Sequence, residues 1–145
     1  MALPFQSRAY ETWAPVVGRI LLAVGFLIGA SMKIPGTESF TMEVGMTAAA
    51  GVPFAYLAVI LAGILEVVAG VAIIIGWNTR LFAFLLTLFT ILLTALFHMS
   101  FADPMAVGIF MGHLYLIGGL LYLSVYGAQN MAVKTCPLPQ GMTKA

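Results

Sequence analysis

Residues 53–76 form an apolar run, PFAYLAVILAGILEVVAGVAIIIG, with one ionisable side chain, Glu66, near its centre. A bilayer core about 30 Å thick is crossed by roughly 20 helical residues, because each residue advances a helix by about 1.5 Å. This run is therefore long enough to span a membrane, and Glu66 would lie close to the midplane. A carboxylate at that depth costs about 2.5–3.5 kcal/mol, so it normally faces protein or water and has a partner.

Mostly small residues share the helix face of Glu66, at spacings of three and four. They are Ala58, Ala62, Ala69, Gly70 and Ile73. Small residues beside a polar one let a neighbouring helix approach closely, so we expect Glu66 to face the protein interior. Two roles stay open: a structural anchor that is hydrogen-bonded or ion-paired, and a group that handles a proton or substrate.

Three more apolar runs have the length of a membrane span. They cover residues 15–34, 80–98 and 105–126. With residues 53–76 they predict an all-α integral membrane protein, a four-transmembrane-helix bundle. A short interfacial helix, capped by Thr37 or Ser39, is predicted between spans one and two.

The composition agrees with this class of protein. Of 145 residues, 62% are hydrophobic and only 8% are charged, which is too few charges to solvate a soluble domain. The net charge of +1 gives no surface for nucleic acid. A single cysteine, Cys136, excludes an internal disulfide and a CxxC redox pair.

Span one carries two basic residues, Arg19 near its start and Lys33 at its end, on one helix face. We expect Glu66 to pair with Arg19, with Arg80, or with the histidines of spans three and four. Arg19 is the preferred partner, because it is long, permanently charged and able to bind a carboxylate with two hydrogen bonds. The alternative is that Arg19 reaches outward to lipid headgroups.

Spans three and four add further polar groups. Arg80 begins span three, and the stripe Thr87, Thr90, Thr94 and His98 follows it at steps of three and four. We expect this stripe to face inward, although the threonines could simply bond carbonyls of their own helix. His113 lies in span four, about 12 Å along the helix from Met105. The predicted intramembrane polar centre therefore comprises Glu66, Arg19, His98, His113, Arg80 and Lys33.

The sequence predicts no intrinsic cofactor and no metal site. Helix rise places His98 and His113 at different depths, which disfavours a haem held by both. The carboxylates are too few for a di-iron cluster, and no phosphate loop or flavin motif occurs. Contact with a quinone needs only an apolar groove and one or two polar groups such as Glu66, His113 or His98.

With these residues in place, the chain resembles the DoxX family. The resemblance lies in residues 18–33, 51–80, 81–98 and 116–127, and its most specific residues are Arg19, Lys33, Glu66, Arg80 and Phe97-His98. The chain departs from the family at Gly112-His113, where members often carry Lys-Asn. It also departs at residues 128–130, where members often have a glycine-rich turn followed by Ser and Asp. Roles tied to those family residues do not carry over.

The resemblance implies a multi-pass protein of a prokaryotic inner membrane in a redox context, since the family is named for a subunit of a thiosulfate:quinone oxidoreductase. It suggests an electron-transfer subunit that does not catalyse alone. The expected partners are the lipid bilayer and other subunits of a redox or respiratory complex, or copies of the chain itself. A purely structural or assembly subunit is the alternative, and a small transporter is less favoured because no internal repeat or broken span occurs.

The basic residues predict the orientation of the chain. Residues 1–14 form a lead-in and residues 127–145 a tail that we expect to be disordered. Four basic residues belong to the same side as these ends, namely Arg8, Arg80, Lys134 and Lys144. Lys33 lies on the other side with three acidic residues. Both termini are therefore predicted to be cytoplasmic.

Single cysteines at positions 40 and 103 should react with an impermeant thiol reagent added to intact cells, because both positions are predicted to face outward. The measurement is labelling before and after permeabilisation. Labelling that requires permeabilisation would reverse the orientation.

Overall fold

The computed structural model describes residues 8–99, 101, 104–129 and 131–133, and every regular element in these residues is helical. The elements are α1 (Arg8–Ser31), α2 (Glu38–Ala49), α3 (Ala55–Ile75), α4 (Thr79–Phe97) and α5 (Pro104–Tyr126). Four of them, α1, α3, α4 and α5, are long and apolar enough to cross a membrane. The predicted four-helix membrane fold with a short additional helix is confirmed.

The first helix differs from its predicted bounds. It begins at Arg8, so Pro15 lies inside it and not in its first turn. Proline removes one backbone hydrogen bond within a helix, and the apolar residues that follow it maintain the helix by packing. Val16, Ala23 and Phe26 are among the buried residues of α1.

The four long helices alternate in direction, and α1 lies antiparallel to α3. The most extensive packing joins α1 to α3 and α4 to α5, while α1 and α5 touch only slightly. The central core is formed by Ala23, Phe26, Ala69, Ile73, Ala83, Leu86, Leu120 and Leu123. We call the end of the bundle that carries α2 the α2 side. The opposite end, where α1 begins and α5 ends, is the terminal side.

The short helix α2 is held against α3 by one aromatic contact. Thr37 caps α2 as predicted, with its hydroxyl accepting a hydrogen bond of 3.1 Å from the backbone N–H of Phe40. The Phe40 ring is 4% exposed and meets Tyr56 edge-on at 5.1 Å between ring centroids. Since Phe40 is buried, Glu38 on the exposed side of α2 is the better labelling position.

A tight turn joins α3 to α4 on the terminal side. Gly76 adopts a left-handed φ of 76°, and the Trp77 N–H donates to the Ala72 carbonyl at 2.8 Å, which ends α3 in the usual glycine-dependent way. A Cβ at Gly76 would also lie 2.6 Å from Cβ of Ala132. Position 76 therefore requires glycine for its conformation and for its neighbour.

The residues after α5 return to this turn. The Val133 N–H donates to the Ile75 carbonyl at 3.1 Å, and Ala128 is buried. The expectation of disorder from residue 127 onward is therefore wrong for the described part of the tail. Residues 134–145, with Lys134, Cys136 and Lys144, lie outside the described residues, as do residues 1–7 and Asp103.

Gly70→Leu should destabilise the bundle by about 1–3 kcal/mol, because it overfills the contact between α1 and α3. A Cβ at Gly70 would already lie 2.9 Å from Leu27 Cδ2 and 3.5 Å from the Ala23 carbonyl oxygen. Gly25→Leu is the matched control, because nothing lies within 4 Å of a Cβ there. Thermal unfolding in detergent measures both, and equal melting temperatures for the two variants would contradict the packing argument.

Candidate functional site

Glu66 faces the interior and forms an ion pair with Lys33. The carboxylate residue is only 4% exposed, as the small-residue face predicted. Lys33 Nζ lies 3.1 Å from Glu66 Oε2 and donates a hydrogen bond to Oε1 at 3.3 Å. The same ammonium group also donates to the Gly29 carbonyl at 3.2 Å. Lys33 therefore donates to two separate acceptors, a carboxylate and a backbone carbonyl.

Two glycines make room for this pair between α1 and α3. A Cβ at Gly63 would lie 3.1 Å from Cβ of Lys33, and a Cβ at Gly29 would lie 3.4 Å from Glu66 Oε1. Any larger residue at Gly63 would press on the lysine stem. These small residues let the two helices approach closely enough for a side chain at the end of α1 to reach the middle of α3.

The predicted pairing of Glu66 with Arg19 is wrong. Arg19 precedes Gly29, which lies against Glu66, by ten residues, or about 15 Å of helix rise. Its guanidinium instead donates to the Ala128 carbonyl at 2.9 Å and to the Met131 carbonyl at 2.6 Å. The antiparallel register of α1 and α3 decides this, and a single helix pattern does not contain that register.

Lys33 belongs to the six predicted site residues, but it is not among the predicted partners of Glu66. The structure ends α1 at Ser31 and continues into a turn whose Lys33 N–H donates to the Ala30 carbonyl at 3.0 Å. The sequence did contain one signal, since Lys33 shares a helix face with Arg19 and Ala30. Both of those residues are buried, which confirms that this face points inward.

Arg80 also lies on the terminal side and does not contact Glu66. Its Nε donates to the Ser124 carbonyl at 3.2 Å, and its side chain passes beside Gly127, where a Cβ would lie 3.3 Å from Arg80 Cγ. With Arg19, it gives this end two guanidinium groups that hold backbone carbonyls at the end of α5 and just after it. The residues after α5 thus supply carbonyl acceptors for Arg19 that lie outside the four spans.

The two histidines lie together, contrary to the prediction from helix rise. The His98 and His113 ring centroids are 4.9 Å apart with the rings edge-on, and Thr94 Oγ1 lies 2.8 Å from His113 Nδ1. Helix α5 extends beyond the end of α4 on the α2 side. His113, which lies inside α5, is therefore at the same depth as His98 at the end of α4. Within the described residues, no group of three or more His, Cys, Asp and Glu side chains could hold a metal ion.

The threonine stripe is both inward-facing and bonded to its own helix. Thr87, Thr90 and Thr94 are 2%, 2% and 6% exposed. Their hydroxyls donate to the carbonyls four residues earlier at 2.8, 2.7 and 2.7 Å. These bonds satisfy the hydroxyls inside an apolar bundle, so the stripe needs no ligand.

A groove of about 620 Å³ lies on the terminal side, where α1 and α5 diverge. Its polar lining comes from Tyr10, Glu11, Arg19, Tyr122 and Gln129, and its apolar lining includes Leu22 and Leu123. Neither Glu66 nor either histidine lines it. The structure therefore divides the six predicted residues among three places: the Lys33–Glu66 pair, the histidine pair and the arginine end.

Removing one partner of the buried pair should cost about 3 kcal/mol, because it leaves an uncompensated charge. Glu66→Ala should therefore destabilise the protein more than Glu66→Ala combined with Lys33→Met, with a coupling of about 0.5–3 kcal/mol. Glu66→Ala combined with Arg19→Leu is the control, and we expect its two effects to add. Detergent melting curves test this, and additivity in both double variants would disprove the pair.

Comparisons with known proteins agree with this architecture. The DoxX family model matches residues 14–99. Inner membrane protein YqjF of Escherichia coli (strain K12) is 36% identical over 123 residues, which cover 83% of this chain and 88% of that protein. No solved structure matches the chain. From the family match and the extent of this similarity, the chain belongs to the DoxX family of membrane proteins.

Proposed function

We propose that the protein is a membrane subunit of a quinone-linked electron-transfer complex in a prokaryotic inner membrane, and that it does not catalyse alone. Its family supplies the redox context, and its Escherichia coli relative is described as an inner membrane protein. Four candidate spans suit a subunit that meets quinone within the bilayer. In this role the Lys33–Glu66 pair is the buried polar centre that fixes α1 against α3.

The groove between α1 and α5 is the observation that supports quinone contact. Its volume of about 620 Å³ lies within the 300–1,000 Å³ of ordinary ligand pockets. A quinone has a neutral ring with two acceptor oxygens and an apolar tail. Arg19 and Glu11 carry opposite charges in the lining, which suits a neutral headgroup better than an anionic one. Exposed Tyr10 and Tyr122 lie at the rim, where a membrane-dissolved molecule would arrive.

The residues that line the groove differ from the quinone contacts that the sequence suggested. Glu66, His98 and His113 were the expected quinone contacts, but they do not line a cavity of this size. Two cavities next to Lys33 measure about 280 and 130 Å³, and both are smaller than the 300–1,000 Å³ of ordinary ligand pockets. We therefore assign the quinone headgroup to the Arg19 end of the bundle.

Gly18→Leu should weaken binding of a short-chain quinone to the purified protein in nanodiscs by at least tenfold. Gly18 lines the groove, and nothing lies within 4 Å of a Cβ there, so a leucine fills the space without displacing the protein. Gly25→Leu is the control, since it is equally open but lies outside the groove. The measurement is saturation binding of a radiolabelled quinone.

Three outcomes would count against this proposal. The first is no saturable binding to the natural sequence, and the second is equal loss in the two variants. The third concerns the complex: unchanged quinone reduction in native membranes that lack the protein would remove the electron-transfer role even if the groove binds quinone.

An assembly subunit is the second candidate, and the exposure of α5 favours it. The buried residues of α5 are Leu120 and Leu123, and nothing lies within 4 Å of a Cβ at Gly108 or Gly112. Small residues that face lipid allow another transmembrane helix to approach closely. Purification of the native complex in mild detergent separates the two candidates. Loss of companion subunits with Gly108→Leu, while quinone binding persists, would support assembly alone.

A further inference from the structure

A cavity of about 130 Å³ lies on the α2 side, and Lys33 of the buried pair is one of its lining residues. It is partly open and is lined by Lys33, which follows α1, by α2 and by the adjoining parts of α3 and α4. Its polar lining consists of Lys33, Glu43 and Thr47. Glu43 is half-buried and Thr47 is buried, so both belong to the inner face of α2.

This cavity has the size that water requires, and its mostly apolar lining contains three polar side chains that can bond water. A water molecule occupies about 30 Å³ of liquid, so 130 Å³ corresponds to roughly four molecules. Buried water is stable where two to four polar partners surround it, whereas apolar cavities stay dry. The carboxylate of Glu43, the ammonium of Lys33 and the hydroxyl of Thr47 are such partners. Water can therefore link half-buried Glu43 to Lys33, which is bonded to Glu66.

Lys33 has more negative than positive charge around it. One ammonium group lies between two carboxylates, Glu66 of the ion pair and Glu43 across the cavity. Two carboxylates that share a low-dielectric region resist being ionised together. The set is electrically neutral when it holds one additional proton. An isolated ion pair, by contrast, is already neutral and needs no additional proton.

The other elements packed against Glu66 do not supply the missing charge. Helix α4 presents Thr87, Thr90 and Thr94, whose hydroxyls bond their own helix. The backbones of α5 and α3 do not approach closely in the described residues, and His98 and His113 lie against each other. Among the described residues, the charged groups that act on Glu66 are Lys33 from the turn after α1 and Glu43 from α2.

We propose that Glu43, Lys33 and Glu66 form a proton-binding site that water reaches from the α2 side. A hydronium ion in the cavity gives its proton to the Glu66 carboxylate and becomes water. Lys33 stays an ammonium: it keeps its hydrogen bond to the Gly29 carbonyl at 3.2 Å, and Glu43 becomes its counter-ion. No charge is then left unbalanced near the midplane. The site does not depend on quinone contact, because it lies at the other end of α1 from the groove.

Infrared difference spectroscopy of the protein in nanodiscs tests this site. A downward pH jump should produce a carboxyl band that is absent in Glu66→Gln, and the band should shift rapidly on transfer to heavy water. Glu43→Gln should slow that exchange at least tenfold. Glu38→Gln is the matched control, because Glu38 is exposed on the same helix and does not line the cavity.

Two further variants separate the α2 side from the terminal side without changing a charge. Ala62→Leu fills the cavity and should slow exchange of the Glu66 band at least tenfold, since Ala62 lines it. Gly18→Leu obstructs the distant groove and should leave exchange unchanged while it lowers quinone binding.

Several results would overturn the proposal. One is a natural protein without a Glu66 band that responds to pH. Another is exchange that neither Glu43→Gln nor Ala62→Leu slows. Slower exchange in Gly18→Leu alone would mean that the proton arrives from the terminal side. If the natural protein does not bind quinone, the proton site is unaffected, so the two proposals can fail separately.

Discussion

The close approach of α1 and α3 is the constraint on which the rest of the structure depends. Gly63, Gly29 and Gly70 bring the two helices together, and the buried Lys33–Glu66 pair occupies the space that they leave. In a bilayer, burial of apolar surface does little to join helices, because lipid is as apolar as leucine. Close packing and the Lys33–Glu66 ion pair therefore hold these two helices together, as a hydrophobic core does in water.

The two ends of the bundle satisfy their charges in different ways. On the α2 side, Lys33 is bonded to a carboxylate and a backbone carbonyl, and α2 adds Glu43 across a small cavity. On the terminal side, the guanidinium groups of Arg19 and Arg80 bind backbone carbonyls from the end of α5 and from the tail. The first end combines opposite charges with space for water. The second ties the tail to the bundle and borders the larger groove.

Several features of the site were predictable, since each depends on local pattern. The inward direction of Glu66 follows from its small neighbours, and the buried face of Arg19, Ala23, Phe26 and Ala30 follows from helical spacing. The inward threonine stripe follows in the same way. The errors concern distances between helices. The chemistry of Arg19 favours it as a partner, but it lies too near the start of α1 to reach Glu66, which is opposite Gly29. The histidines were separated by counting residues from helix ends whose relative offset was unknown.

The sequence by itself determined that the chain is a four-span helical membrane protein with a buried carboxylate in span two. Length and apolar content decide this, because the bilayer admits few structures and penalises an unpartnered charge. Only the tertiary structure decided that Lys33 is the cation that pairs with Glu66, that the two histidines lie together, and that the tail binds Arg19. These contacts depend on the relative shift and rotation of packed helices, which are set by many small side-chain contacts at once and not by the pattern of any single helix.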